Sequence, residues 1–299
     1  MRRIANQNAL PYTFRTLSIV RQLAEIYALR LPYHRGKWRV IEAFALALGY
    51  DKADRGKTFE VERNGLLWRL SPECTLQRRL LYHGQLDLLD TSFVLAWIKP
   101  GAVFADVGSY FGYYALRAAA AGAKVFAFEP LPGNYDLLTE NIRLNESKNI
   151  ETVPCAVSDQ VGEVSFSAPP AGNRGMGALA FREGLRRVTV QSTTLDTFFK
   201  ERQIERLDVI KIDVEGAEVS VLKGAKETLA RFRPKMLVEY NPTCLNRCGT
   251  TGDDLLNLLR AADYDLFMLT KRGLQPFKKP QSTEDYLNLI CLPAAERKS

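Results

Sequence analysis

The 299-residue chain is 46% hydrophobic and 25% charged, a soluble composition that allows one large core with a smaller appendage. Residues 1–60 carry +6 of the net charge of +7, so the remainder is nearly neutral. That excludes a protein that grips nucleic acid along its length, because phosphate binding needs a basic stripe where the chemistry occurs.

The first predicted element is a basic amphipathic helix in which Leu17, Val20, Ala24, Tyr27 and Leu31 recur at helical spacing among Arg15, Arg21 and Arg30. Its apolar stripe suits packing on the body, with peripheral contact to an acidic membrane surface as the alternative. Arg2 and Arg3 lead into the polar Asn6-Gln7-Asn8, which does not read as a signal peptide, and no apolar run is long enough to span a bilayer. Five cysteines (Cys74, Cys155, Cys244, Cys248 and Cys291) are odd in number and not framed as a disulfide scaffold. A cytoplasmic protein, peripheral to the membrane if the arm binds lipid, is the expectation.

Residues 1–57 therefore read as an arm ending in the polar linker Asp51–Lys57. Residues 58–100 read as a hairpin and helix leading into the core, because Asn64-Gly65 between two apolar runs supplies both positive-φ positions of a tight turn. Residues 101–299 form the body, in which strands and helices alternate.

The body opens with Val103-Phe-Ala-Asp-Val-Gly-Ser-Tyr-Phe-Gly112, an apolar strand turning on Gly108 into an alanine-rich helix. A dinucleotide fingerprint starting at Gly108 needs glycines where Tyr110 and Tyr113 stand. Asp106, two residues before the first glycine, repels a pyrophosphate but can accept from an amino group. Glu129 ends the next strand 21 residues after Gly108, a distance that suits hydrogen bonds to ribose hydroxyls. S-adenosylmethionine has the amino group, the ribose and no phosphate.

Further along, a helix runs from Pro132 toward Asn145, and Ile150–Val157 reads as one strand. Gly162–Phe166 and Arg187–Val190 read as hairpin strands around a long loop, Ala168–Gly177, suited to be a lid or a surface excursion. Then come the strand Leu207–Asp213, a helix from Ala217 to about Arg231, the strand Lys235–Glu239 and the helix Asp253–Ala262. Tyr264–Thr270 and Tyr286–Leu292 read as a terminal antiparallel pair at a sheet edge.

Four segments in this order, Asp106–Gly112, Phe128-Glu-Pro130 with Asn134 and Asn141, Ala156-Val-Ser-Asp159, and Lys211-Ile-Asp-Val-Glu-Gly-Ala-Glu218 with Val221–Gly224, resemble the FkbM-type S-adenosylmethionine-dependent methyltransferases. The resemblance covers roughly residues 70 to 290. It implies a class I methyltransferase Rossmann-like fold, a mostly parallel seven-stranded sheet with an antiparallel edge strand, and O-methylation of a sugar, glycan, glycolipid or secondary metabolite. It also implies Gly108, Ser109 and Gly112 at the methionine portion, Asp106 near its amino group, Glu129-Pro130 at the ribose, and Ser158 and Asp159 by the adenine.

A base must take the hydroxyl proton. The two histidines, His34 and His83, precede the cofactor motifs, so Asp213 and Glu215 are the first candidates, then Glu218, with His83 as an acceptor contact. Glu218 can equally serve its own helix start. These acids are not expected to hold a metal. The expected acceptor is a hydroxyl-bearing small molecule or glycan rather than nucleic acid. The alternatives are an RNA methyltransferase and a non-catalytic nucleoside-binding protein. RNA chemistry lacks its signatures, because Asp213-Val-Glu-Gly216 replaces an Asn-Pro-Pro-Tyr-like tetrad and Cys155 is expected inside a buried strand.

Overall fold

A computed structural model describes residues 27, 39, 40, 43, 56–167, 187–279 and 286–294. The helix expected over Leu17–Leu31 falls outside these residues except for Tyr27, and the loop expected over 168–177 falls outside them entirely. The chain divides into two compact units, Met1–Leu86 and Asp87–Ser299.

In the first unit β1 (Phe59–Arg63) and β2 (Leu66–Leu70) form the expected antiparallel hairpin, with Asn64 at φ 57° and Gly65 at φ 72°. Alternation puts Leu66, Trp68 and Leu70 inward. Helix α1 (Thr75–His83) ends on Gly84, whose N–H donates to Leu80 O. The Arg63 guanidinium donates to Leu81 O and ties hairpin to helix.

The second unit begins with α2 (Leu88–Leu95) and is built on one eight-stranded sheet. In chain order its strands are β3 (Val103–Val107), β4 (Lys124–Phe128), β5 (Ile150–Val153), β9 (Val209–Ile212), β10 (Lys235–Tyr240), β11 (Tyr264–Thr270), β12 (Gly273–Pro276) and β13 (Leu287–Pro293). They lie in the order β12-β11-β13-β10-β9-β3-β4-β5. From β10 to β5 every ladder is parallel, and β13 runs antiparallel between β10 and β11. The order reverses at β3, from which β4 and β5 extend one way and β9 and β10 the other. Such a reversal opens a crevice at the carboxyl ends of β3 and β9.

Both faces of β9 are buried, which is why it reads as a run with no alternation. Helices α3 (Tyr113–Ala120) and α4 (Pro132–Leu144) follow β3 and β4 as expected, with Pro132 in the first turn where no intrahelical N–H is needed. Helix α9 (Gly252–Ala261) starts on a capping box between Thr251 and Asp254.

Several elements differ from the sequence expectation. The strand over Ile150–Val157 is two: Pro154 interrupts it, and β6 (Ala156–Val157) leaves the main sheet to join β8 (Arg187–Thr193), itself paired with β7 (Gly162–Ser167). Cys155 therefore sits in the break, half-buried, and not inside a strand. The helix over 217–231 is also two, α6 (Glu218–Lys223) and α7 (Lys226–Phe232), because Gly224 passes so close to Ser158 O that a Cβ there would lie 2.1 Å from it.

Helix α5 (Leu195–Glu201), unread in the sequence, is capped by Thr194, whose hydroxyl accepts from Thr197 N, and it packs Phe198 edge-on against Phe128 at 4.8 Å. Helix α8 (Pro242–Arg247) likewise starts on Asn241, which accepts from Cys244 N. The terminal strands pair as expected, but β12 adds an eighth strand and takes the edge, while the antiparallel β13 lies inside the sheet.

Candidate active site

The turn after β3 is built from three positive-φ residues: Gly108 (84°), Tyr110 (51°) and Gly112 (90°). Gly108 is required by the sheet itself, because a Cβ there would lie 1.9 Å from Asp213 O at the end of β9. The turn is fastened to β4 by Gly108 N and Ser109 N, both donating to Phe128 O, and closed by Ser109 Oγ donating to Asp106 O at 2.7 Å. Asn141, fully buried on α4, donates from Nδ2 to Phe111 O at 3.0 Å and holds the far side.

Glu129 follows β4 and is buried. Its carboxylate accepts from Tyr110 N at 2.9 Å, Leu131 N at 3.0 Å and Asn134 Nδ2 at 3.3 Å. Burial pushes its pKa up to about 7, and the three donors and the Lys211 charge oppose that rise. Half-buried Pro130 carries the chain from Glu129 to Leu131, which packs with Ala156 of β6. Ser158, just past β6, is buried; it donates from Oγ to exposed Asp159 at 3.1 Å and from N to Thr193 O. Ser158 and Asp159 thus bond to each other and to β8 and not to the Gly108 turn.

Across the crevice, Asp106 of β3 is register partner to Lys211 of β9. Asp106 is 1% exposed, and neither carboxylate oxygen closes a full hydrogen bond, the donors that favour its charged form being the Lys211 ammonium and the Ala115 N–H. Burial raises its pKa, opposed by the Lys211 ammonium at 3.6 Å. The same ammonium donates to Gly108 O at 2.8 Å and lies 3.4 Å from Asp213, whose side chain is 42% exposed. Burial pulls Lys211 down, but Asp213 and Asp106 more than compensate and raise it above the usual lysine value.

The other acids are drawn to separate partners. Glu218, fully buried, accepts from Val214 N at 3.0 Å and Gly216 N at 3.2 Å and also from its own N–H, so it ties the β9–α6 loop to the start of its own helix. Burial pushes its pKa up to about 7. Glu215, at φ 55°, accepts from the Cys244 thiol, itself pushed up to about 12 by burial and by Glu215. Glu239 of β10 is pushed up to about 10 by burial and by the charges of Asp213, Glu218 and Glu215. Among the described residues no group of three or more His, Cys, Asp or Glu converges to hold a metal.

The structure thus joins Asp106, Gly108, Ser109, Gly112, Glu129 and Asp213 around one turn. Lys211 and Glu239 were not singled out as functional from the sequence. The available signal was a single lysine inside Val209-Ile-Lys-Ile212 and a single acid inside Met236-Leu-Val-Glu239, each a charge in a strand with no solvated face.

The Methyltransferase FkbM domain matches residues 106–266, more than half of the chain and all of the crevice just described. The chain belongs to the FkbM methyltransferase family. Its sheet is accordingly a class I methyltransferase Rossmann-like fold. It is 33% identical over 148 residues to the hexuronic acid methyltransferase AglP of Haloferax volcanii, covering 49% of this chain and 58% of that protein. It is 29% identical over 195 residues to the 2-O-methyltransferase NoeI of Sinorhizobium fredii, covering 59% and 78%. Among solved structures, FkbM methyltransferase from Methylobacillus flagellatus aligns at 17% identity with a TM-score of 0.42, over 72% of this chain and 53% of that one. The match thus spans little more than half the length of AglP and of the Methylobacillus protein. Among the described residues no helix is long and apolar enough to cross a membrane.

Proposed function

We propose that this protein transfers a methyl group from S-adenosylmethionine to a hydroxyl of a sugar, glycan, glycolipid or secondary metabolite. The observation that carries the cofactor reading is Asp106: a buried carboxylate at the switch in strand order, neither of whose oxygens closes a full hydrogen bond within the chain, suits the α-ammonium of the methionine portion. The rest of the turn fits the same group. A carboxylate offers about four acceptor positions; Glu129 uses three on N–H donors and keeps about one for a ribose hydroxyl. The positive-φ turn at Gly108–Gly112 brings backbone close to the methionine portion, with Ser109 packed beneath it, and Pro130, Ser158 and Asp159 bound the nucleoside end.

The sulfonium supplies an activated methyl, so the protein's task is alignment and proton removal. Asp213, exposed at the mouth and paired with Lys211, is the proposed base or acceptor-positioning group, with Glu215 beside it. The sugar-hydroxyl reading is supported by the names of AglP and NoeI, one acting on a hexuronic acid and one a 2-O-methyltransferase. The acceptor is proposed to be a small molecule or glycan, and the arm over residues 1–57 to give peripheral membrane contact if it has a surface role.

The test is incubation with methyl-labelled S-adenosylmethionine and extracts of the native cell. The expected result is label in a base-stable ether on a glycan, glycolipid or metabolite. Label only in RNA, or no S-adenosylhomocysteine formed with any fraction, contradicts the proposal.

A further inference from the structure

We infer that Lys211 is a positioning residue for the cofactor: its buried ammonium keeps Asp106 ionised and oriented to accept the α-ammonium of S-adenosylmethionine. This rests on the cofactor reading above.

The geometry is set by strand register. Asp106 and Lys211 face each other across the parallel β3–β9 ladder, so both side chains emerge on one side of the sheet at the crevice. Lys211 Nζ donates to Gly108 O at 2.8 Å, which anchors the ammonium to the turn, and it stands 3.6 Å from Asp106 Oδ1, outside hydrogen-bond distance. It therefore supplies Asp106 with charge without closing a full hydrogen bond to it, and the Ala115 N–H is the other donor that favours the carboxylate. A pair serving stability alone is expected to close to a hydrogen bond, and an apolar side chain in an otherwise apolar buried strand serves stability at least as well.

The charged groups around this ammonium come from every strand end at the crevice: Asp106 on β3, Glu129 after β4, Asp213 after β9 and Glu239 on β10. The Tyr114 ring of α3 lies 5.7 Å away. Burial penalises the Asp106 charge and Asp213 repels it; the ammonium is the larger opposing influence and the Ala115 N–H the smaller. Removing that ammonium favours protonation of Asp106, and a protonated acid no longer offers a full carboxylate to a cation.

The experiment pairs two readouts. Calorimetry measures S-adenosylhomocysteine binding across pH for wild type, Lys211→Met, Lys211→Arg and Asp106→Asn. Carbon-13 NMR of protein labelled at the aspartate carboxyl carbon follows the Asp106 titration, its resonance identified by its loss in Asp106→Asn. In wild type, S-adenosylhomocysteine is expected to move the Asp106 titration to lower pH. Lys211→Met should move it to higher pH and weaken binding about 10-fold or more near neutrality, with affinity recovering as pH rises. Lys211→Arg should restore most of both.

Affinity lost by the same factor at every pH, or an Asp106 titration that Lys211→Met leaves in place, overturns the inference and marks Lys211 as packing only. Should Lys211→Met not fold, wild type decides: Asp106 found protonated at neutral pH in the free protein overturns it equally. Wild type that binds no S-adenosylhomocysteine defeats the cofactor reading itself, which separates that failure from this one.

Discussion

After β4 a buried acid, Glu129, is met by three N–H donors, whereas at the ends of β9 and β10 the charges of Asp213, Glu218 and Glu215 bear on a buried acid, Glu239. The first arrangement is satisfied by the chain's own backbone before any ligand arrives. It is a preformed cradle, and the donors come from the turn and helix start that the glycines permit. The second is frustrated: burial and the charges of Asp213, Glu218 and Glu215 drive Glu239 up to about 10. A group under such repulsion suits a place where a proton must be taken up and released. On the proposed reading, one side of the crevice holds the cofactor and the other takes up the proton.

The largest effect is expected at the seam between the two sides. Gly108→Ala puts a Cβ against Asp213 O in a left-handed backbone conformation, and denaturant unfolding should show a loss of about 3 kcal/mol or more, or failure to fold. Next, Asp213→Asn should lower turnover on the identified acceptor about 100-fold, roughly 2.7 kcal/mol of barrier, while S-adenosylhomocysteine affinity stays within a few-fold. Full turnover in that variant moves the base to Glu215 or Glu239 and blurs the contrast between the sides.

A smaller effect separates burial from function. Glu218 has a folded pKa near 7 against an ordinary 4.5, so between these values the folded chain binds the extra proton. Wild type should therefore lose stability as pH rises through that window, because the carboxylate must ionise while buried. Glu218→Gln should remove this slope, gaining on wild type by roughly 1–3 kcal/mol from the acid to the neutral end, as read from urea midpoints. Smallest of all, Gly133→Ala on exposed α4, where a Cβ meets nothing within 4 Å, should stabilise by about 0.4–1 kcal/mol and leave cofactor binding alone.

The cradle was legible in the sequence and the frustrated side only in part, for a physical reason. Gly108, Gly112 and Glu129 announce themselves through local backbone demands and fixed spacing along the chain. Lys211 and Glu239 have meaning only through neighbours on other strands, Asp106 from β3 and Asp213 from the end of β9, and register between strands is not written locally. The same limit explains the fold differences. Pro154 is a local breaker that a reading of Ile150–Val157 as one strand passes over, and that β6 then pairs with β8 is a long-range choice. The split of the 217–231 helix at Gly224 depends on Ser158 O, far away in sequence. Ser158 and Asp159 form a local turn as their composition suggests, and their adenine role rests on the family resemblance rather than on a bond to the turn.

Central to the proposed function is Glu129 as a ligand-holding acid in a cradle that accepts S-adenosylmethionine. Isothermal calorimetry of wild type and Glu129→Ala with S-adenosylhomocysteine, and of wild type with NAD, measures this directly. One site for S-adenosylhomocysteine is expected, weakened in Glu129→Ala by about 1.5–3 kcal/mol, roughly 10- to 150-fold, with NAD bound far more weakly. Unchanged affinity in a folded Glu129→Ala, or NAD binding more tightly than S-adenosylhomocysteine, contradicts it.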